Sequence, residues 1–337
     1  MSTFYTSNKL SFNNAEQFKE SFAEPQPTVG YLFIGNNVPY ANEASPNSIV
    51  DSASDEKSVW DNIFAAKKVT GNDVELVTTR YNWATGKRYK QFDDKISIGE
   101  LLTADTTQGN SNPMYIMTSN RDVYKCLSNN ANSLSTVEPS GDYNTANGTI
   151  ITADGFIWKY LYNVKPSNKF LTSAWMPAPI STSKLDYDTS SLISVDGELA
   201  HIVVTDGGSG YIHSNISVTS FSSGCTVLSV ANTNNLVANM ALSGTGIASG
   251  THIESVDTVN TTIQLSTAAT NSGGGTGNTI FVSSRVYISG DGIGGVASPT
   301  LSGNTIQKIT VTSYGKDYSV ANVYIYGTGS GATARAV

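Results

Sequence analysis

The residues of this chain that could do chemistry are few and widely spaced. Two Gly-x-Gly-x-Gly runs, at 290–294 and 327–331, have the spacing of a backbone cradle for phosphate. Such a cradle needs a helix to begin at the glycines, so that free N–H groups and the helix dipole face the anion. After Gly331 comes Ala332-Thr333-Ala334-Arg335-Ala336-Val337, which alternates like a strand, so both runs read as tight turns. Asp206, Asp291 and Asp317 stand beside glycines. Calcium takes roughly six to eight oxygens and no segment groups carboxylates closely enough, so these read as turn residues. The three histidines, His201, His213 and His252, show no metal-ligand spacing. His201 and His213 flank one expected hairpin and read as a solvated pair. Asp93-Asp94, and Asp186 with Asp188, are carboxylate pairs by sequence. Glycoside hydrolysis needs two carboxylates about 5–9.5 Å apart across one bond, whereas these pairs read as charged turns. Cys126 lies in an alternating segment and reads as a small buried apolar residue. The expectation is a protein that is not an enzyme, with no cofactor and no metal.

Aromatic residues are the more informative surplus. Tyr81, Trp83, Tyr89 and Phe92 are interleaved with Arg80, Lys87, Arg88 and Lys90. Such a stretch can stack on bases or sugars, or anchor a protein interface, where Tyr, Trp and Arg are enriched. A net charge of −7 favours the interface over nucleic acid. Plain core packing is an equal alternative. Arg80, Tyr81, Trp83, Arg88 and Tyr89 are therefore one candidate interface, and Tyr318, Tyr324 and Tyr326 near the end of the chain are another.

Composition bounds the rest. The chain has 337 residues, of which 14% are charged, and 39% hydrophobic residues with 17 Tyr and 11 Phe exclude outright disorder. No apolar run reaches the ~18–20 residues of a membrane-crossing helix, so no membrane insertion is expected. Met1-Ser2-Thr3-Phe4-Tyr5 lacks the plan of a signal peptide. Two cysteines exclude a disulfide framework and suit synthesis in a reducing cytoplasm.

The elements that position these residues divide near residue 200. Residues 1–200 hold 38 of the 47 charged side chains and all four tryptophans, whereas residues 201–337 hold 20 of the 30 glycines. Two domains are expected, 1–200 and 201–337, joined by the polar stretch within 181–200. In the first, helices are expected over Ser11–Phe22 and after Ser52, where Val59, Trp60, Ile63 and Phe64 would form an apolar face. Strands are expected at Tyr31–Ile34, Val74–Val77, Met114–Met117, Val123–Leu127 and Phe156–Tyr162, with Trp60, Trp83 and Trp158 anchoring a β-sandwich.

The second domain contains a repeat. Ile202-Val203-Val204-Thr205-Asp206-Gly207-Gly208-Ser209-Gly210-Tyr211 aligns without a gap on Ile309-Thr310-Val311-Thr312-Ser313-Tyr314-Gly315-Lys316-Asp317-Tyr318. The register is expected to continue through Asn215–Val218 against Asn322–Ile325. Val286–Gly294 likewise aligns on Val323–Gly331. Between these pieces lies an inserted β module, about 221–283, with strands expected at Thr226–Val230, Thr251–Val256 and Thr262–Leu265. The final repeat is expected to lack a closing strand, which a neighbouring chain would supply. The fold class is mainly β: a multilayer β-sandwich with a few short helices, plus a Gly-rich β-repeat module.

An ordered series of segments resembles a known family. Tyr31-Leu32-Phe33-Ile34-Gly35, Val59-Trp60-Asp61, Arg80 through Tyr89, Asp122-Val123-Tyr124-Lys125-Cys126-Leu127, Ser135 through Gly141 and Ala153 through Tyr162 together resemble the baseplate wedge subunit of contractile-tailed, T4-like bacteriophages, the peripheral β-rich wedge protein. The series covers about residues 29–165. The resemblance implies a non-enzymatic virion protein of the tail baseplate, a homodimer in contact with other wedge proteins. It implies a part in coupling host contact to sheath contraction. Residues 201–337 depart from the family pattern and resemble modules of other virion structural proteins. The alternatives are a receptor-binding, adhesin-like protein whose inserted module touches host surface glycans, and a tail-associated glycan hydrolase.

Overall fold

The computed structural model describes residues 8–35, 41–42, 44–45, 48, 50–104, 106, 109, 112–141, 148–166, 169–178, 187–189, 197–272 and 279–337. Most of the connection expected within 181–200 lies outside the described residues, as does Asp186. The protein is mainly β, 44% strand against 10% helix, with several sheets and, among the described residues, three α-helices. In chain order come α1 (Asn8–Ser21), β1 (Gly30–Gly35), α2 (Ala53–Asp61), β2 (Ile63–Val69), β3 (Val77–Thr79) and α3 (Ile98–Leu102). Then follow β4 (Tyr115–Met117), β5 (Asp122–Ser128), β6 (Thr149–Ile151), β7 (Ile157–Val164), β8 (Trp175–Pro177), β9 (Tyr187–Thr189) and β10 (Ile202–Ser209). Six strands form the inserted module: β11 (Ser214–Ser217), β12 (Val227–Ser229), β13 (Ala241–Ser243), β14 (Ile253–Asp257), β15 (Thr262–Leu265) and β16 (Thr279–Ser283). Last are β17 (Arg285–Gly290), β18 (Ile293–Ser302), β19 (Thr305–Lys316), β20 (Ala321–Tyr326) and β21 (Ser330–Ala336).

The chain packs as two units, residues 1–80 with 164–187, and residues 81–163 with 188–337. This division differs from the compositional one near residue 200. Its physical reason is that both ends of the Gly-rich region are tied to residues 92–94. His201 Nε2 lies 2.6 Å from the Phe92 carbonyl oxygen, and the Arg335 guanidinium pairs with both Asp93 and Asp94.

In the first unit, the Ser52 hydroxyl caps α2 by accepting from the Asp55 amide at 3.2 Å, with Asp55 and Glu56 favourably placed in the first turn. The helix then stops early, because Asn62 donates its side-chain amide back to the Ser58 carbonyl at 2.7 Å. Ile63 and Phe64 consequently enter β2 rather than another helical turn. The expected apolar helix face is not formed: Val59, Trp60 and Phe64 are 60, 59 and 85% exposed. β1 and β2 make a two-stranded antiparallel ribbon, and β3 pairs with β8.

The second unit begins with a sheet in the order β4-β5-β7-β6. Its strands follow from alternation: β7 reads buried at Ile157, Trp158, Tyr160, Tyr162 and Val164. Tyr89, Ile116, Tyr124, Cys126, Phe156, Trp158 and Tyr160 form one core, with Trp83 packed on it. Rings meet edge-on, Tyr89 on Trp158 at 5.4 Å and Tyr124 on Tyr160 at 5.5 Å, the favoured geometry for opposed ring quadrupoles. α3 was not expected. Its signal is the capping box Ser97/Glu100, in which the Ser97 hydroxyl accepts from the Glu100 amide and Glu100 reaches back to the Ser97 amide.

The Gly-rich repeats build a six-stranded antiparallel sheet ordered β17-β20-β21-β10-β19-β18. Its end strands β17 and β18 are joined by Asp291-Gly292 and lie against each other, so the sheet curls back on itself. Two like halves compose it, β17-β18-β19 ending at Tyr318, and β20-β21 completed by β10 and Tyr211. The second half is therefore permuted: its last strand comes first in the chain. Glycines hold both halves alike. Gly208 (φ +59°) and Gly315 (φ +63°) need left-handed backbone. A Cβ on Gly208 would lie 2.4 Å from Ser330 O, and one on Gly315 would lie 2.6 Å from Ile293 O. Ile202, Tyr211, Val286, Ile288, Ile306 and Ile309 are among its buried core.

Two expectations are corrected here. β21 is paired within the chain, Val203 opposite Arg335 and Gly207 opposite Ala332, so the last repeat needs no strand from a neighbour. Val337 is also tied to His201 by backbone hydrogen bonds in both directions. Asn215–Val218 does not continue the repeat, because β11 belongs to the inserted module and pairs with β16. That module stacks two three-stranded sheets, β11-β16-β13 and β12-β15-β14. Its own core includes Leu228, Met240, Ile253, Ile263, Ile280 and Val282.

Candidate functional site

The segment from Arg80 to Tyr89 is built into the fold rather than laid on its surface. Tyr89 is fully buried, and its hydroxyl accepts from the Ala84 amide at 2.9 Å, closing the turn through Gly86 (φ +73°). Burial pushes its phenol up to about 12. Trp83 donates its indole N–H to Ser135 Oγ at 3.0 Å, and Ser135 in turn lies 3.3 Å from an Asp154 carboxylate oxygen. Burial works to raise the Asp154 carboxyl, yet hydrogen bonds from Thr152 Oγ1 and the Thr136, Val137 and Phe156 amides outweigh it and hold the carboxyl low. Tyr81 reaches the Leu102 carbonyl at 3.3 Å, and Arg88 Nε donates to the Asn132 carbonyl at 2.9 Å. Arg80, in the other unit, donates to the Thr172 carbonyl at 2.7 Å. The core alternative holds for Tyr89 and for the Trp83 ring, which removes Tyr89 from any surface.

The later tyrosines divide similarly. Tyr318 packs on the curled sheet's core and its hydroxyl accepts from the Gly295 amide at 3.2 Å. Tyr326 is half-buried. Tyr324, 47% exposed, lies opposite Tyr287 with ring centroids 6.4 Å apart, and alone of the three presents a large face to solvent.

The other candidates are structural. His201 is buried rather than solvated, and burial lowers its imidazole to about 4. Burial pushes the Cys126 thiol far up, as befits an inert core residue. Asp291 accepts from the Ser319 and Val320 amides at 2.9 Å each, and its carboxyl is held at about 2 by the Ser319 hydroxyl and these amides. It braces a turn, as Asp206 does by accepting from the Gly208 amide at 2.8 Å. The glycine runs lead into β18 and β21, not into helices. Among the described residues no group of three or more His, Cys, Asp or Glu side chains could hold a metal.

An exposed apolar surface, which includes the expected core anchor Trp60, is the most distinctive feature of the first unit. Tyr31 and Phe33 stack at 6.4 Å on one face of β1, and Trp60 meets Phe33 edge-on at 5.4 Å. All three rings are exposed, by 56, 39 and 59%. Leu32 and Ile34, on the opposite face, are 59 and 65% exposed. The ribbon thus shows apolar side chains on both faces, and a lone two-stranded ribbon is marginal in water. The signal in the sequence is the unbroken run Tyr31-Leu32-Phe33-Ile34, which lacks the polar alternation of a strand with one wet face. No family model, no curated protein and no solved structure matches this chain.

Proposed function

We propose that this chain is a non-enzymatic structural subunit of a phage tail baseplate wedge, joining neighbouring baseplate proteins and helping to couple host contact to sheath contraction. The observation that carries this reading is the exposed apolar ribbon. Tyr31–Gly35 and Val59–Asp61 belong to the series that resembles the wedge family, and they are also the residues that leave large apolar side chains in solvent. Contiguous apolar patches on soluble proteins mark interaction surfaces, and aromatic residues anchor such interfaces. The remaining segments of the series, around Tyr89, Tyr124, Cys126 and Trp158, supply a rigid aromatic core. Under this reading the protein resides in the virion, and its partners are other wedge proteins and a second copy of itself.

The test is a stoichiometry. Quantitative mass spectrometry of purified tails should find the protein at a fixed ratio to other baseplate proteins. The double substitution Phe33→Ser with Trp60→Ser should abolish its incorporation while leaving its melting temperature within about 2 °C, since both rings are exposed. Tails that lack the protein, or that incorporate the double variant fully, would reject the reading.

A further inference from the structure

The inserted module and the curled sheet, both in the second unit, enclose a cleft of about 920 Å³. That lies within the ~300–1,000 Å³ range of small-ligand sites. One wall is the outer face of β18, where Ser298 and Thr300 alternate outward and are exposed. The other wall comes from the module sheet, where Phe281 on β16 is 40% exposed and stands in the lining. His213 meets Phe281 edge-on at 5.9 Å and braces its ring. Asn304 also lines it, and its backbone carbonyl accepts from the Tyr211 amide.

Charge gives the cleft a sign. Among the described residues no aspartate or glutamate lines it, and Arg285 is its only formally charged side chain. In a protein of net charge −7 that is a local reversal. The Arg285 guanidinium sits 5.2 Å from the Tyr287 ring centroid, which holds the fork without neutralising it. Burial lowers the pKa of His213, so this ring adds no charge at neutral pH.

We propose that this cleft binds an acidic oligosaccharide, with Phe281 against the apolar face of a sugar ring and Arg285 paired to the sugar carboxylate. Hydroxyl and amide groups on β18 and at Asn304 match a polyhydroxylated ligand, since each both donates and accepts. A planar guanidinium suits a carboxylate through two parallel hydrogen bonds. A polyphosphate is a poorer match, because the cleft has a single cation and no helix N-terminus. A divalent metal finds no carboxylate there. This site lies outside the segments that resemble the wedge family and does not depend on the assembly reading.

Saturation-transfer NMR on the full chain tests it, with sialyllactose and trigalacturonic acid as acidic probes and lactose as the neutral control. At least one acidic probe should receive saturation well above lactose. Arg285→Gln should weaken that binding about tenfold or more, the cost of losing a charge-assisted hydrogen bond. Phe281→Ala should weaken it as well, and melting curves will show whether each variant is folded. Ser298→Trp fills the cleft from an exposed position, and should abolish binding with Arg285 intact. Silence from both acidic probes would overturn the proposal. So would equal saturation of lactose, or displacement of the sugar by inorganic phosphate at equal concentration.

Discussion

Gly208 and Gly315 hold the same left-handed backbone, φ +59° and +63°, at the same step of two strands that lie side by side in one sheet. Each faces a second left-handed glycine, Gly331 opposite Gly208 and Gly294 opposite Gly315, and each precedes a tyrosine that packs on glycines. The two halves are thus related by one rule of close backbone approach.

Gly208→Ala should accordingly destabilise the protein by more than the ~1–2 kcal/mol that a left-handed alanine costs alone, because its Cβ would lie 2.4 Å from Ser330 O and Ala332 N. Gly210 offers the contrast. It shares positive φ with its repeat partner Asp317, and a Cβ there meets nothing closer than Gly329 Cα at 3.5 Å. Gly210→Asp should therefore cost no more than the ~1–2 kcal/mol of left-handed backbone itself, and less than Gly208→Ala. Denaturant unfolding of both variants checks the order.

Two tryptophans expected to play one role should separate in the same measurement. Trp158 is fully buried between Tyr89 and Phe156, so Trp158→Ala should cost about 3–5 kcal/mol. Trp60 is 59% exposed, and Trp60→Ala should stay within about 0.5 kcal/mol.

Acid should weaken the fold through His201. Its folded pKa of about 4 lies below the ordinary 6.5 because burial disfavours the charged ring, although the Phe92 carbonyl works in the opposite direction. Between these values the unfolded chain binds a proton that the native one does not, so stability is full above pH 6.5 and falls as pH drops towards 4. The loss is on the order of 3 kcal/mol. Urea midpoints at pH 7 and pH 4.5 should lie closer together for His201→Gln than for wild type. An unchanged gap would exclude His201 as the source.

The Arg335 guanidinium, with Asp93 and Asp94 at their partly buried contact, should show a coupling of about 0.5–3 kcal/mol in a double-mutant cycle of Arg335→Ala with Asp93→Asn. Hydrogen exchange at the amides of β21 should rise in both single variants.

Much of this fold is legible locally. The repeat is visible because Gly208 and Gly315 hold left-handed backbone that few other residues adopt, and Tyr211 and Tyr318 pack on neighbouring glycines. The inserted strands at 226–230, 251–256 and 262–265 announced themselves by alternation and turn residues. What escaped the sequence depends on distant partners. His201 is buried because the Phe92 carbonyl reaches it from far along the chain. The closing of β21 depends on a strand that precedes a whole inserted module. Trp60 is exposed because its helix ends at Asn62, where a side-chain hydrogen bond turns Ile63 and Phe64 into a strand and leaves the expected apolar helix face unformed. For the candidate interface, residue type alone did not distinguish a buried Tyr89 from an exposed Tyr324, since both belong to aromatic-rich strands or turns.

The permuted second half has a consequence for synthesis. β10 leaves the ribosome before every strand it pairs with, β19 and β21, and its ladder cannot close until β21 has been made. The inserted module meets no such delay, because its first and last strands, β11 and β16, pair with each other. During translation the module can complete its own core and so hold the waiting strand close to where the later strands will arrive, shortening the loop that must be closed. An insertion that looks like an interruption of the repeat thus serves as its clasp.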